Sequence, residues 1–182
     1  MSQSHRQLGI ADLTVAVREV RRVTGCLELV VGGSGALVAL GTRAGDLLRT
    51  VDFDIGITQE GTLQGVKDFD SKLGKQSEFV ESHGFYVEHV GESLLTDLLP
   101  VGWRERAARF TIEEVSVLCL APVDIAINKL DAARPKDFQH LSRMLHAGLV
   151  TYDEIEDAIS HVPFSFLMPK YREALAKVRT MI

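Results

Sequence analysis

The sequence predicts a mixed α/β fold of the α+β kind, a short mixed sheet flanked by helices and followed by a C-terminal helical portion. Three observations carry that expectation. An apolar run at residues 26–31 stops at Gly32-Gly33-Ser34, which reads as a buried strand turning tightly into a helix. Residues 51–57 read Val-Asp-Phe-Asp-Ile-Gly-Ile, so that Asp52 and Asp54 share one face of a second strand. From Pro122 onward, apolar residues recur at helical spacing with proline and glycine punctuation.

The bulk properties fit this. A chain of 182 residues is ample for a real core. The pattern divides it into an α/β core over residues 1–120 and a helical portion over 121–182 packed on that core as one compact unit. Twenty basic against 25 acidic residues give a net charge of −5, so nothing global announces a nucleic-acid binder. No stretch approaches the length of a membrane span and the first residues lack an apolar signal segment. The expectation is a cytoplasmic protein with no membrane partner. Cys26 and Cys119 fall in apolar runs and read as small core hydrophobes, while the six histidines show no ligand spacing that would suit zinc.

Along the chain, Ile10, Leu13, Val17 and Val20 mark an amphipathic helix over 10–24, with Arg18, Arg21 and Arg22 on its solvated faces. After the first strand, Ser34 is read as the N-cap of a helix running to about Leu40; such a cap stabilises by about 1 kcal/mol. The same helix start exposes N–H groups without internal partners, and glycines let an anion approach them. Gly32, Gly33 and Ser34 are therefore candidate phosphate-binding residues. Residues 42–50 form a polar connection, in which Arg49 could reach phosphates or the aspartates that follow, a surface ion pair being its ordinary alternative.

Asp52 and Asp54 are about 6–7 Å apart along their strand by the rise per residue. Carboxylates so placed on a central strand repel each other and lose hydration unless cations neutralise them. Hard Mg²⁺ takes carboxylate oxygens and leaves positions for substrate phosphates, and two such ions about 3.5–4 Å apart suit in-line phosphoryl transfer.

Residues 62–82 read as one or two helices broken near Gly74, and 85–90 as a strand. Glu88 on that strand is the candidate third metal-binding carboxylate; Asp97 competes with it, and an edge-strand glutamate is the bland alternative. Trp103 among Arg104, Arg106 and Arg109 could stack on a base or plug the core. Residues 110–120 supply a strand or hairpin. Pro122 opens a helix to about Ala133, Pro135 opens the next, and 152–162 and 168–181 add two more around Pro163 and Pro169. Dipole compensation explains Asp137 at one helix start and Lys129 near the preceding helix end. It does not explain why Lys129, Arg134, Lys136 and Asp137 all meet at one junction, which would suit a triphosphate.

Gly32-Gly33-Ser34 followed by Asp52-Phe53-Asp54 resembles the signature of the polymerase-beta-like nucleotidyltransferase superfamily. Leu99-Pro100-Val101-Gly102-Trp103-Arg104-Glu105-Arg106, Leu120 to Leu130 and Ala133-Arg134-Pro135-Lys136-Asp137 further resemble the branch allied to AbiE-type abortive-infection toxins. The resemblance implies a nucleotidyltransferase fold and a Mg²⁺-dependent transfer of a nucleoside monophosphate from an NTP to an acceptor hydroxyl. Asp52 and Asp54 would be catalytic metal ligands, joined by Glu88; Gly32, Gly33, Ser34 and Arg49 would bind the nucleotide; Lys129, Lys136 and Asp137 would complete the catalytic set. It also implies RNA as acceptor and a neighbouring antitoxin protein as partner. Two other readings stand beside it: a small-molecule nucleotidyltransferase of the aminoglycoside type, and a binding module that keeps the fold without catalysis.

Overall fold

The computed structural model describes residues 8–41, 50–59 and 63–181. Five strands form one sheet in the order β3-β2-β1-β5-β4: β1 Glu28–Gly32, β2 Asp52–Gln59, β3 Tyr86–His89, β4 Ala108–Ile112 and β5 Val115–Cys119. The sheet is mixed. β1 runs antiparallel to β2 and parallel to β5, β2 runs parallel to β3, and β4 and β5 form an antiparallel hairpin. The expected α+β architecture of a short mixed sheet flanked by helices is therefore what the chain adopts.

The helices are α1 Ile10–Thr24, α2 Gly33–Ala39, α3 Leu63–Leu73, α4 Glu78–His83, α5 Glu92–Thr96, α6 Trp103–Arg106, α7 Pro122–Ala132, α8 Pro135–His146, α9 Tyr152–Ser160 and α10 Met168–Arg179. In α1 the spacing that predicts the helix also sets its buried stripe, since Leu13, Ala16, Val17 and Val20 are all fully buried. Gly25 ends it in the left-handed conformation, φ 73°, donating its amide to the Arg21 carbonyl at 2.7 Å. The arginines of the solvated face find partners: Arg18 pairs with Glu113 at 2.6 Å and Arg21 with Glu114 at 2.6 Å, both in the β4–β5 turn. Cys26 and Cys119 are buried and free. No helix among the described residues is long and apolar enough to cross a membrane.

The start of α2 differs from the sequence expectation. Helical hydrogen bonding begins at Gly33 with Gly32 as N-cap, so Ser34 sits in the first turn and caps nothing. The reason is conformational: Gly33 takes φ +58°, which a glycine adopts without strain, and the turn is complete before Ser34 is reached. The 42–49 part of the polar connection, with Arg49, lies outside the described residues.

Helix α2 is pressed against β2. A Cβ at Gly35 would lie 2.7 Å from Cδ1 of Phe53 and 3.1 Å from the Asp52 carbonyl oxygen. Phe53 is itself fully buried, edge-on to Phe85 at 5.7 Å, and cannot swing away. This contact fixes the distance between the glycine turn and the aspartate strand. Gly35→Ala gains about 1 kcal/mol of helix propensity but forces overpacking that costs about 1–3 kcal/mol. A net loss of stability in urea denaturation is expected, and an unchanged midpoint would show that α2 is not seated this closely.

Candidate active site

The parallel pairing of β2 with β3 sets Asp52 beside Tyr86 and Asp54 beside Glu88. Residues two apart on a strand face the same side, so these four make a two-by-two array on one face of the sheet. Their side chains converge: one carboxylate oxygen from each of Asp52, Asp54 and Glu88 lies within 4.8 Å of the other two. Glu88 thus joins the aspartates. Asp97 does not, being the exposed C-cap of α5.

The antiparallel pairing of β1 with β2 places Gly32 opposite Asp54 and so carries the glycine turn to the same spot. A Cβ on Gly33 would overlap Oδ2 of Asp54, and the positive φ there is a second bar to any other residue. Burial first, then the charges of Asp52 and Glu88, push the Asp54 carboxyl up to about 6; Lys129 and Lys136 oppose this without cancelling it. Asp52 is held differently. Its Oδ1 accepts from the Thr50 hydroxyl at 2.9 Å and its Oδ2 from the Tyr86 phenol at 2.8 Å. Burial and the Asp52 hydrogen bond hold the Tyr86 hydroxyl well above its ordinary value, so it remains a donor.

A cleft of about 440 Å³ opens over these acids, and its other wall is the α7–α8 junction. Helix α7 closes at Ala133 with φ 48°, and Pro135 starts α8 at once. The junction delivers Lys129, Arg134 and Lys136 to the cleft, three cations facing three carboxylates. Asp137 is buried at the start of α8. It accepts from the Arg134 backbone N–H at 3.3 Å, from its Nε at 2.5 Å and from Nη2 at 3.2 Å, and lies 3.8 Å from Nζ of Lys129. Burial alone would raise its carboxyl, but the Arg134 hydrogen bond and the two cations outweigh burial and hold it below the usual range.

His140 completes this wall, with Nδ1 3.2 Å from Lys129 Nζ. Burial and then the charge of Lys129 push the imidazole down to about 4, so at neutral pH it is uncharged and Nδ1 accepts from the ammonium. Burial also lowers Lys129, which the charges of Asp137 and Asp54 counteract.

Of the residues singled out in the sequence, Gly33, Ser34, Asp52, Asp54, Glu88, Lys129, Lys136 and Asp137 line this one cleft. Gly32 does not; it caps α2 and faces Leu95, whose Cδ2 would be 2.8 Å from a Cβ there. Trp103 packs half-buried on the core, with the Arg104 guanidinium 4.8 Å from its ring centroid and turned toward Glu28 and Glu92. Thr50, Tyr86 and His140 escape the sequence reading. Tyr86 and Thr50 each stand two residues from a carboxylate, Glu88 and Asp52, and that alternation was the signal that could have found them.

A carboxyl with a folded value near 6 against 3.8 unfolded holds its proton more tightly in the folded state. Its contribution to stability is present below about pH 4 and is lost as pH rises through 6. In chelator-containing buffer, Asp54→Asn should therefore gain stability over wild type between pH 4 and 8, by about 1–3 kcal/mol at 1.36 kcal/mol per pH unit. Parallel pH profiles of the two proteins in urea denaturation would contradict the crowding.

No curated protein and no solved structure matches the chain significantly. A family model does, over residues 10–171, and its description is a nucleotidyltransferase of unknown function, DUF6036. With nearly the whole chain inside that match, and the sheet, glycine turn and acidic cluster in place, the protein belongs to this nucleotidyltransferase family.

Proposed function

We propose that the protein moves a nucleoside monophosphate from an NTP to an acceptor hydroxyl and releases pyrophosphate. The observation that carries this reading is the acidic triad of Asp52, Asp54 and Glu88 facing Lys129, Arg134 and Lys136 across one cleft. The donor set is all carboxylate oxygen, which suits hard Mg²⁺, and its crowding is the kind that a divalent cation relieves. Asp52, Asp54 and Glu88 would hold one or two such ions, which when bound supply positive charge to the reacting phosphate and activate the attacking hydroxyl.

The rest of the work falls to the chain itself. Gly33 and Ser34 present the first turn of α2 to the cleft; with seven residues this helix offers N–H donors more than a macrodipole. Lys129 and Lys136 meet the charge that moves onto pyrophosphate as its bond to the α-phosphorus breaks and the acceptor oxygen bonds in its place. Asp137, hydrogen-bonded to Arg134 and close to Lys129, would position those cations or the acceptor. Because the acids belong to the 1–120 core and the cations to the 121–182 helices, the two portions would act as one unit. The resemblance to AbiE-type toxins extends the proposal to an RNA hydroxyl as acceptor, an antitoxin protein as partner and a cytoplasmic setting.

Incubation with each labelled NTP, Mg²⁺ and total RNA should label RNA; label on a small hydroxyl compound instead would replace RNA as the acceptor. The Asp52→Ala/Asp54→Ala double variant should lose transfer by at least a thousandfold while staying folded, since no other group supplies the lost cation. Retained transfer would reject the assignment. Calorimetric NTP binding should depend on Mg²⁺, whereas Mg²⁺-independent binding would favour a module without catalysis.

A further inference from the structure

One member of the two-by-two array is not an acid. Where β2 carries Asp52 and Asp54, β3 carries Tyr86 and Glu88 in register with them. A carboxylate at 86 would add a fourth negative charge, and a phenylalanine would fill the space without donating. The phenol instead gives Asp52 Oδ2 a hydrogen bond at 2.8 Å, while Thr50, buried two residues ahead of β2, gives Oδ1 one at 2.9 Å. The Thr50 oxygen is also 3.0 Å from the Asp52 carbonyl, so its single proton is shared between main chain and side chain.

A carboxylate gripped at both oxygens, from the segment leading into its own strand and from the neighbouring strand, is held against turning about its terminal torsion. Each oxygen has two lone-pair sites, so one site per oxygen stays open to a cation. Among the described residues neither Asp54 nor Glu88 receives such a hydroxyl. We propose that Tyr86 and Thr50 are positioning residues that lock the Asp52 carboxylate in the orientation that meets a divalent cation, making Asp52 the fixed anchor of the site while Asp54 and Glu88 adjust. The proposal rests on the metal-dependent function put forward above. Partners of this sort, one bond removed from the ion, commonly govern metal affinity by 10–100-fold.

Mn²⁺ titration followed by electron paramagnetic resonance tests it on the full chain. Tyr86→Phe and Thr50→Val should each weaken Mn²⁺ binding by about tenfold or more, Thr50→Ser should restore it, and Tyr86→Phe in an Asp52→Asn background should change nothing further. Wild-type affinity in both Tyr86→Phe and Thr50→Val, with binding lost in Asp52→Ala, would overturn the clamp and leave the metal site standing. No Mn²⁺ binding by the wild type, or binding unaffected by Asp52→Ala, would remove the metal-dependent function and the clamp with it.

Discussion

Three carboxylates gathered on two adjacent strands repel one another when charged, and the structure around them answers that constraint on several sides. Asp52 is given hydroxyl donors, Asp54 is left with a raised affinity for its proton, and a row of cations is brought up opposite. Each response has a cost that the core absorbs. Gly33 gives up any side chain so that Asp54 can lie against the main chain, and Gly35 does the same so that α2 can close on Phe53. The site is thus inseparable from the packing of α2 on β2.

Much of this is legible in the sequence. The alternation at 51–57 placed both aspartates on one face because strand periodicity depends only on local sequence, and the proline-punctuated junction placed Lys129 and Asp137 near each other for the same reason. What a single chain does not disclose is register. That Glu88 and not Asp97 joins the aspartates follows from which residues of β3 lie against β2, a long-range pairing that propensity cannot specify. Tyr86 was hidden for the same reason, since its meaning depends on facing Asp52. The misplacement of the Ser34 cap has a different origin: serine is a good N-cap, but the two glycines before it had already made the turn.

The α7–α8 junction shows how ordinary helix architecture and a site can share residues. Asp137 satisfies the backbone at the start of α8, as capping alone would ask, and the same carboxylate gathers Arg134 and Lys129. Neither role displaces the other. Lys129 in turn is shared between Asp137 and a neutral His140, so a buried ammonium keeps partners on its own wall while its charge still acts on Asp54 across the cleft. A group compensated on one side and exposed to an anion on the other suits a phosphate that arrives and leaves.

Glu88 and Tyr86 share a further circumstance. Both ride on β3, four residues long, at the margin of the sheet, where β2 is its one strand neighbour among the described residues. A short marginal strand is where a sheet frays first. Fraying there would remove an acid and the phenolic grip on Asp52 in one motion, leaving two aspartates and a loosened carboxylate. An ion held there would knit that margin back to its neighbour, so that cation loading and the order of this border of the sheet would be a single equilibrium.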